Sequence, residues 1–380
     1  MHKIREVSIP SNGRVIVISD IHGELELFES LLEKVNFSLE DYLIINGDLC
    51  EKGANSKGVV RSIMDLSASH PHVYVTEGNC DTLVEDLLDE NPKLMNYLHT
   101  RKHTIISEWL VEVGFEMKEG TTVQEIKEIL TAHFSTEINW LMELPTAIET
   151  EDYVFVHAGL DDRENWRETD RITAITMPAF LDRSHQTGKY VVVGHWPVVN
   201  YSTRIPTYNP IIDHAKKIIA IDGGNVIKST GQLNAFIIQR TPSGDTFNNT
   251  YTDKHPVYEV LMDFKSEPMM TGVISYPYFD INPLQSDEHF TLCEQPETNE
   301  QLYVKNEYIQ QYENGQFHVK TGVSCAQISV NKGDVVSVVD SNCEGFDLIK
   351  KDGVEGWIEK GILLQVNENK LKEKAIKVLS

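Results

Sequence analysis

Residues 19–24 read Ser-Asp-Ile-His-Gly-Glu and follow the run Arg-Val-Ile-Val-Ile. Side chains two apart on an extended chain point the same way. Asp20 and His22 are therefore expected on one side of a strand end, with Gly23 bending the chain beside them. An oxygen and a nitrogen donor aimed at one point suit a metal ion; the competing reading is a capped loop with a surface histidine. Five more apolar stretches run into similar residues: NGDLCEKG at 46–53, EGNCD at 77–81, VHAGL at 156–160, VGHWP at 193–197 and IDGG at 221–224. Taken singly, each has a simpler reading: Asp48 as a helix cap, Asn79 as a turn residue, His157 and His195 as satisfied core histidines. Taken together, strand after strand ending in Asp, Asn or His plus Gly is not explained by packing.

The elements that must position these residues follow from hydrophobic periodicity. Short apolar runs predict strands at RVIVIS, YLIIN, HVYVTEG, DYVFVHA, YVVVGH, KIIAID and LNAFIIQ. Amphipathic stretches predict helices at ELELFESLLEKV, SKGVVRSIMDLSAS, DTLVEDLLDENPKLMNYL, TVQEIKEILTAHF and STEINWLMEL. The alternation implies an α/β sandwich with much of its sheet buried, and sites in such folds gather at strand ends. After about residue 252 the pattern changes to short strand candidates and turn residues. The expected division is therefore 1–252, a β-rich connecting segment 253–318, and a third region 319–380. A length of 380 residues agrees with more than one domain.

Net charge is -24, from 34 Lys+Arg against 58 Asp+Glu. That field disfavours nucleic acid and anionic membranes, and it leaves bound cations to offset repulsion of any phosphorylated substrate. The N-terminus has no apolar secretion segment and no run reaches membrane-spanning length. The cysteines are five, scattered and without CxxC pairs. Neither a disulfide framework nor a zinc knuckle is expected, and a reducing cytoplasm fits best.

Read in order, D-x-H-G, G-D-x-x-x-x-G, G-N-x-D, H-A-G-L and G-H resemble the calcineurin-like metallophosphoesterases, over roughly residues 13–240. VHAGL and IDGG are most similar to the phosphoprotein-phosphatase branch, with its bacterial dinucleoside-tetraphosphatase and protein-phosphatase-like members. The resemblance implies a four-layer α-β-β-α sandwich and two divalent metal ions. Asp20 and His22 match ligands of the first metal, Asp48 the bridging carboxylate, and Asn79, His157 and His195 ligands of the second. Such mixed donors suit Mn²⁺, Fe or Zn²⁺ better than Mg²⁺ or Ca²⁺. Two metals sharing a hydroxide would attack phosphorus in line and clamp its oxygens. Asp48, Glu51, Lys52, Asn79, Cys80 and Asp81 form the expected catalytic group. Lys52, Asn79 and Trp196 face the substrate in this reading, although Trp196 reads more simply as packing.

Four positions depart from that family. Cys80 stands where a histidine acts as general acid, and a thiol is a poorer acid that cannot act as a cation. Glu51 replaces the aspartate that orients that histidine. Lys52 replaces a phosphate-gripping arginine and lacks its bidentate fork. Met177 falls where related sequences carry another arginine, with Arg163, Arg167, Arg171 and Arg183 as candidate substitutes. The altered acid favours good leaving groups or diesters over phosphoserine-like monoesters. The resulting expectation is a metal-dependent phosphoesterase resembling bacterial Ser/Thr phosphatases, with a phosphodiesterase or dinucleoside polyphosphate hydrolase as one alternative. A catalytically weakened metal-binding scaffold is another. Residues 320–366, with Gly356-Trp357-Ile358 after the last turn, resemble a bacterial SH3-like barrel, which implies either a partner-docking module or a structural cap.

Overall fold

The computed structural model describes residues 3–366. The chain divides into two compact units. Among the described residues the first takes 3–198, 209–227 and 231–253; the second takes 199–208, 228–230 and 254–366.

In chain order the first unit carries β1 (Ile4–Glu6), β2 (Arg14–Ile18), α1 (Leu25–Lys34), β3 (Tyr42–Asn46), α2 (Ser56–Ser69), β4 (Val73–Thr76), α3 (Leu83–Leu88), α4 (Lys93–Thr100), α5 (Ile105–Glu112) and α6 (Val123–Glu143). It continues with β5 (Ala147–Glu149), β6 (Tyr153–Val156), α7 (Arg171–Thr176), β7 (Tyr190–Val193), β8 (Ile211–Asp213), β9 (Ile218–Ala220), β10 (Leu233–Gln239) and β11 (Thr246–Thr252). Two mixed sheets result, ordered β11-β10-β2-β3-β4 and β1-β5-β6-β7-β9-β8. The trios β2, β3, β4 and β6, β7, β9 are internally parallel, so each trio ends together. Val15, Val17 and Ile44 of one sheet pack against Ile148, Phe155, Val192 and Ile219 of the other. The alternate faces of β2 and β3, through Ile16, Ile18, Leu43 and Ile45, meet the apolar sides of α1 to α6. Both faces of these strands are buried, which is why they read as continuous apolar runs.

Several boundaries differ from expectation for local reasons. The helix expected over 81–98 is two, α3 and α4, because Pro92 lacks an N–H and cannot sit inside a helix. The two helices expected between 122 and 144 run together as α6, kinked at Phe134 (φ -124°, ψ 26°). Helix α5 was not expected; its signal is Thr104, whose hydroxyl accepts from the Ser107 N–H at 2.9 Å. Glu108 of α5 in turn accepts from the Ser56 and Lys57 amides at 2.9 and 2.8 Å, capping α2.

The second unit is β-rich: β12 (Val257–Val260), β13 (Val273–Ile274), β14 (Asp280–Ser286), β15 (Phe290–Gln295), β16 (Glu300–Lys305), β17 (Ile309–Gln311), β18 (Phe317–Val319), β19 (Val323–Ser324), β20 (Val335–Asp340), β21 (Phe346–Lys351), β22 (Val354–Glu359) and β23 (Leu363–Gln365). The SH3-like barrel expected here is an open antiparallel sheet, ordered β22-β21-β20-β12-β23. Strand β12 inserts between β20 and β23, so the last strand pairs with it instead of closing onto β22. Trp357 is fully buried, its indole N–H donating to the Ser324 carbonyl at 2.7 Å, with Phe290 and Tyr308 edge-on to it. It is a core residue of this unit and offers no docking surface. Among the described residues no helix is long and apolar enough to cross a membrane.

Candidate metal centre

The six motif stretches all leave the same ends of the two parallel trios. Extended alternation is not what aims Asp20 and His22, however. Strand β2 stops at Ile18, and both residues adopt left-handed backbone (φ 58° and 50°), as do Asp48 (53°) and His195 (65°). Such conformations cost about 1–3 kcal/mol each for non-glycine residues and persist where the surroundings over-determine them. Here the surroundings are backbone hydrogen bonds between loops: Asp20, His22 and Gly23 donate to Gly47, Asp48 and Leu49 carbonyls at 3.0, 3.0 and 2.8 Å. The turn still brings the two side chains together, with His22 Nε2 3.8 Å from Asp20 Oδ1 and 3.6 Å from Asp48 Oδ2.

Asp48 stands between two groups of donors. With Asp20 and His157 it forms one set of atoms mutually within 4.8 Å, and with His22 and Cys80 another. Its Oδ1 lies 3.4 Å from His157 Nε2 and accepts from the Cys80 N–H at 2.8 Å. Asp20 accepts from the His195 N–H at 3.2 and 3.1 Å through its two oxygens. Glycine is required where the loops meet. A Cβ on Gly78 would stand 2.2 Å from the Asp48 nitrogen, and one on Gly194 would stand 2.3 Å from Asp20 Oδ2.

Backbone carbonyls fix the imidazoles. His157 Nδ1 faces the Asn46 carbonyl at 3.0 Å and His22 Nδ1 the Cys50 carbonyl at 3.2 Å. A carbonyl only accepts, so each ring carries its proton on Nδ1 and turns the Nε2 lone pair inward. Asn79 completes the arrangement. With its amide nitrogen turned in, it donates to His195 Nδ1 at 2.8 Å and to His157 Nε2 and the Ile175 carbonyl at 3.2 Å. With its oxygen turned in, oxygen and imidazole lone pairs converge with no proton between them, which a cation resolves.

The electrostatics point the same way. Burial, then the charge of Asp48, pushes the Asp20 carboxyl up to about 8. Burial alone would raise Asp48 too, but His157, His22 and Lys52 hold it below the ordinary carboxylate range. Burial lowers His22 and His195 to about 4. Asp20 and Asp48, both buried, oppose each other's ionisation, and a divalent cation removes that conflict. The donor set therefore fits a divalent cation.

The remaining expected residues divide. Lys52 reaches in, its ammonium 3.3 Å from His22 Nε2, and burial's lowering of its pKa is outweighed by Cys80 and Asp48. The Cys80 thiol is pushed well up by burial and by Asp48. Asp81 and Glu51 are engaged elsewhere. The Asp81 carboxylate accepts from the Leu49, Cys50 and Gly78 amides at 2.9, 3.1 and 2.8 Å, so it braces the loop that carries Asp48. The Glu51 carboxylate accepts from the Ile105 N–H at 2.8 Å and the Tyr97 hydroxyl at 3.2 Å, tying α4 and α5 to that loop. Trp196 is half-buried beside His195, its N–H bonded to Gly194 O at 2.7 Å. Met177 is buried against Gly159. The four candidate arginines are engaged elsewhere. Arg171 is held by Glu77 and Glu85, Arg167 by Glu6 and Glu149, and Arg163 by Asp161, while Arg183 donates to the Pro178 carbonyl.

Two positioning residues were not singled out in the sequence. Asn46, fully buried at the end of β3, donates to the Val156 and Val192 carbonyls at 3.0 and 3.2 Å and so bolts one sheet to the other. A polar residue closing the apolar YLIIN was its signal. Asn225 donates to the Ile21 carbonyl at 3.0 Å and supports the first loop.

Similarity to known proteins follows the same residues. The model of the calcineurin-like phosphoesterase family matches residues 13–219. The chain is 27% identical over 165 residues to a symmetrical bis(5'-nucleosyl)-tetraphosphatase of Vibrio parahaemolyticus, covering 41% of this chain and 51% of the relative. It is 31% identical over 144 residues to the protein of the same description from Buchnera aphidicola, covering 36% and 50%. The chain thus spans about half the length of these curated relatives. A Saccharomyces cerevisiae protein serine/threonine phosphatase structure superposes with TM-score 0.45 and 14% identity, over 67% of this chain and 85% of that one.

Proposed function

The chain belongs to the calcineurin-like phosphoesterase family; on that premise we propose a metal-dependent phosphoesterase with a dinuclear site, whose preferred substrates carry leaving groups that depart without a strong proton donor. Asp20, His22 and Asp48 would hold one cation, and Asp48, Asn79, His157 and His195 the other, with Mn²⁺, Fe or Zn²⁺ suited to these donors. Two such ions would supply an activated water and neutralise the phosphoryl oxygens. Lys52 adds a point charge at the phosphate, and Trp196 walls the site. Asp81, Asn46 and Asn225 hold the loops.

The observation that carries the substrate preference is Cys80. By the family resemblance it takes the place of the histidine that acts as general acid, and burial with the neighbouring Asp48 makes its thiol a still weaker acid. An alkoxide such as that of phosphoserine needs a proton as the P–O bond breaks. A nucleotide or aryl leaving group takes the electron pair as a stable anion. The relatives' described substrates, bis(5'-nucleosyl) tetraphosphates, release such a group, and dinucleoside polyphosphates are our first candidates. The test compares kcat/KM for a dinucleoside tetraphosphate, a chromogenic aryl diester, an alkyl monoester and a phosphoserine peptide with added Mn²⁺. A steep fall with leaving-group pKa is expected. A phosphoserine peptide turned over as fast as the tetraphosphate refutes the reading.

A second reading is a weakened scaffold, favoured by the Lys52 ammonium that lies against His22 Nε2. Metal titration separates the two: Lys52 displaced by two tightly bound ions supports the enzyme, and only one weakly bound ion supports the scaffold.

A further inference from the structure

Beside Cys80 the surface opens into a groove of about 480 Å³, floored by Asn79, Cys80 and Leu83 and walled by α4 and its flanking turns. That volume lies in the range of small-molecule sites. Its far wall carries Asn91, Lys93, Asn96, Tyr97 and Arg101. Two features separate it from an ordinary surface cleft.

The first is charge. In the same unit Arg61, Lys127, Arg171 and Arg240 are tied to carboxylates. Among the described residues, Lys93 and Arg101 have no carboxylate partner, and both are exposed on the groove. The Arg101 guanidinium instead lies over the Tyr97 ring, 5.7 Å from its centroid. The one carboxylate on the wall, Asp86, accepts from the Asn91 amide at 2.6 Å. In a chain of net charge -24, this opening therefore carries two cations that no carboxylate offsets.

The second is linkage to the metal loop. Tyr97 donates to Glu51, whose carboxylate also holds the Ile105 N–H, and Glu51 precedes Lys52 at the metal centre. Cys80 is shared between the groove and the donor set around Asp48. Cys80 thus joins the opening that Lys93 and Arg101 line to the donor set around Asp48.

We infer that this groove binds the leaving-group half of the substrate, a nucleoside polyphosphate whose phosphate chain runs from Cys80 to Lys93 and Arg101, with Tyr97 and the Asn91 and Asn96 amides contacting its sugar or base. This rests on the proposed function and names the part of the substrate that discriminates. The groove selects substrates whose leaving group is itself polyanionic, where a phosphopeptide presents a neutral backbone.

The test uses the full chain loaded with Mn²⁺ and the variants Lys93→Gln, Arg101→Gln and both together, with Arg101→Lys as the charge-retaining control. Binding of adenosine 5'-(β,γ-methylene)triphosphate and of inorganic phosphate is measured by calorimetry at two salt concentrations. The double variant is expected to weaken the nucleotide analogue about tenfold, equivalent to about 1.4 kcal/mol. Its salt dependence should flatten, phosphate affinity should hold, and Arg101→Lys should retain most of the binding. KM for a dinucleoside tetraphosphate should rise more than kcat falls. Unchanged analogue affinity in the double variant overturns the proposal. So does an equal loss for analogue and phosphate, which is a general field effect, or a KM shift confined to a phosphopeptide. Wild type that binds the analogue through these cations yet hydrolyses no dinucleoside polyphosphate refutes the functional reading and leaves the groove standing.

Discussion

Replacing Glu51 by glutamine should make the first unit more stable as pH rises. Glu51 is 1% exposed, and burial pushes its carboxyl up to about 8 from an ordinary 4.5 despite the hydrogen bonds from Ile105 and Tyr97. A folded-state pKa above the unfolded one means that the folded chain holds the proton more tightly. The contribution is therefore fully present below pH 4.5 and is lost as pH climbs toward 8. At 1.36 kcal/mol per pKa unit, the whole interval corresponds to at most about 5 kcal/mol. Glutamine keeps the shape, still accepts from the Ile105 N–H, and carries no charge to ionise. The assay is urea denaturation of wild type and Glu51→Gln between pH 4 and 8.5 in chelator, with amide exchange in the α5 peptide as the local readout. Chelation keeps metal binding from adding its own pH slope, and titrations common to both proteins cancel in the difference. The stability of Glu51→Gln relative to wild type should rise by at least about 2 kcal/mol across this range. A difference that stays level within about 0.5 kcal/mol refutes the argument that an uncompensated carboxyl is buried there.

Asp48→Asn should reduce activity on an activated substrate at least about 10²-fold more than Cys80→Ser, because Asp48 lies in both donor groups while the thiol is a weak acid to begin with; equal losses contradict this. Cys80→His should gain most on substrates with the worst leaving groups, read as a slope of kcat/KM against leaving-group pKa. Adding Glu51→Asp should not enlarge that gain, since Glu51 is bonded to Ile105 and Tyr97; a larger gain would show that it can turn toward position 80. Gly78→Ala should destabilise the first unit by about 1–3 kcal/mol and weaken metal uptake by elemental analysis, because the new methyl meets Asp48 at 2.2 Å.

The sequence by itself determined the alternation of strands and helices in the first unit, because fully buried parallel strands leave uninterrupted apolar runs such as YLIIN and YVVV. It also carried the family, because the order of the D-x-H-G, G-D, G-N, H-A-G and G-H blocks is local information. Tertiary structure decided what each side chain touches. Asp20 and His22 converge through a left-handed turn held by the neighbouring loop, where spacing alone suggested an extended strand end. Asp81 and Glu51 are carboxylates within the motifs, yet backbone amides up to 54 positions away claim them. Arg171 carries the right charge, but Glu77 and Glu85 hold it. The C-terminal pattern of alternating strands is common to closed barrels and open sheets, and only the pairing of β12 with β23 settles which one forms. Residue type and spacing fix which backbone conformations are available. Choosing among partners depends on contacts between segments far apart in the chain, and these exist only once the sheets have packed.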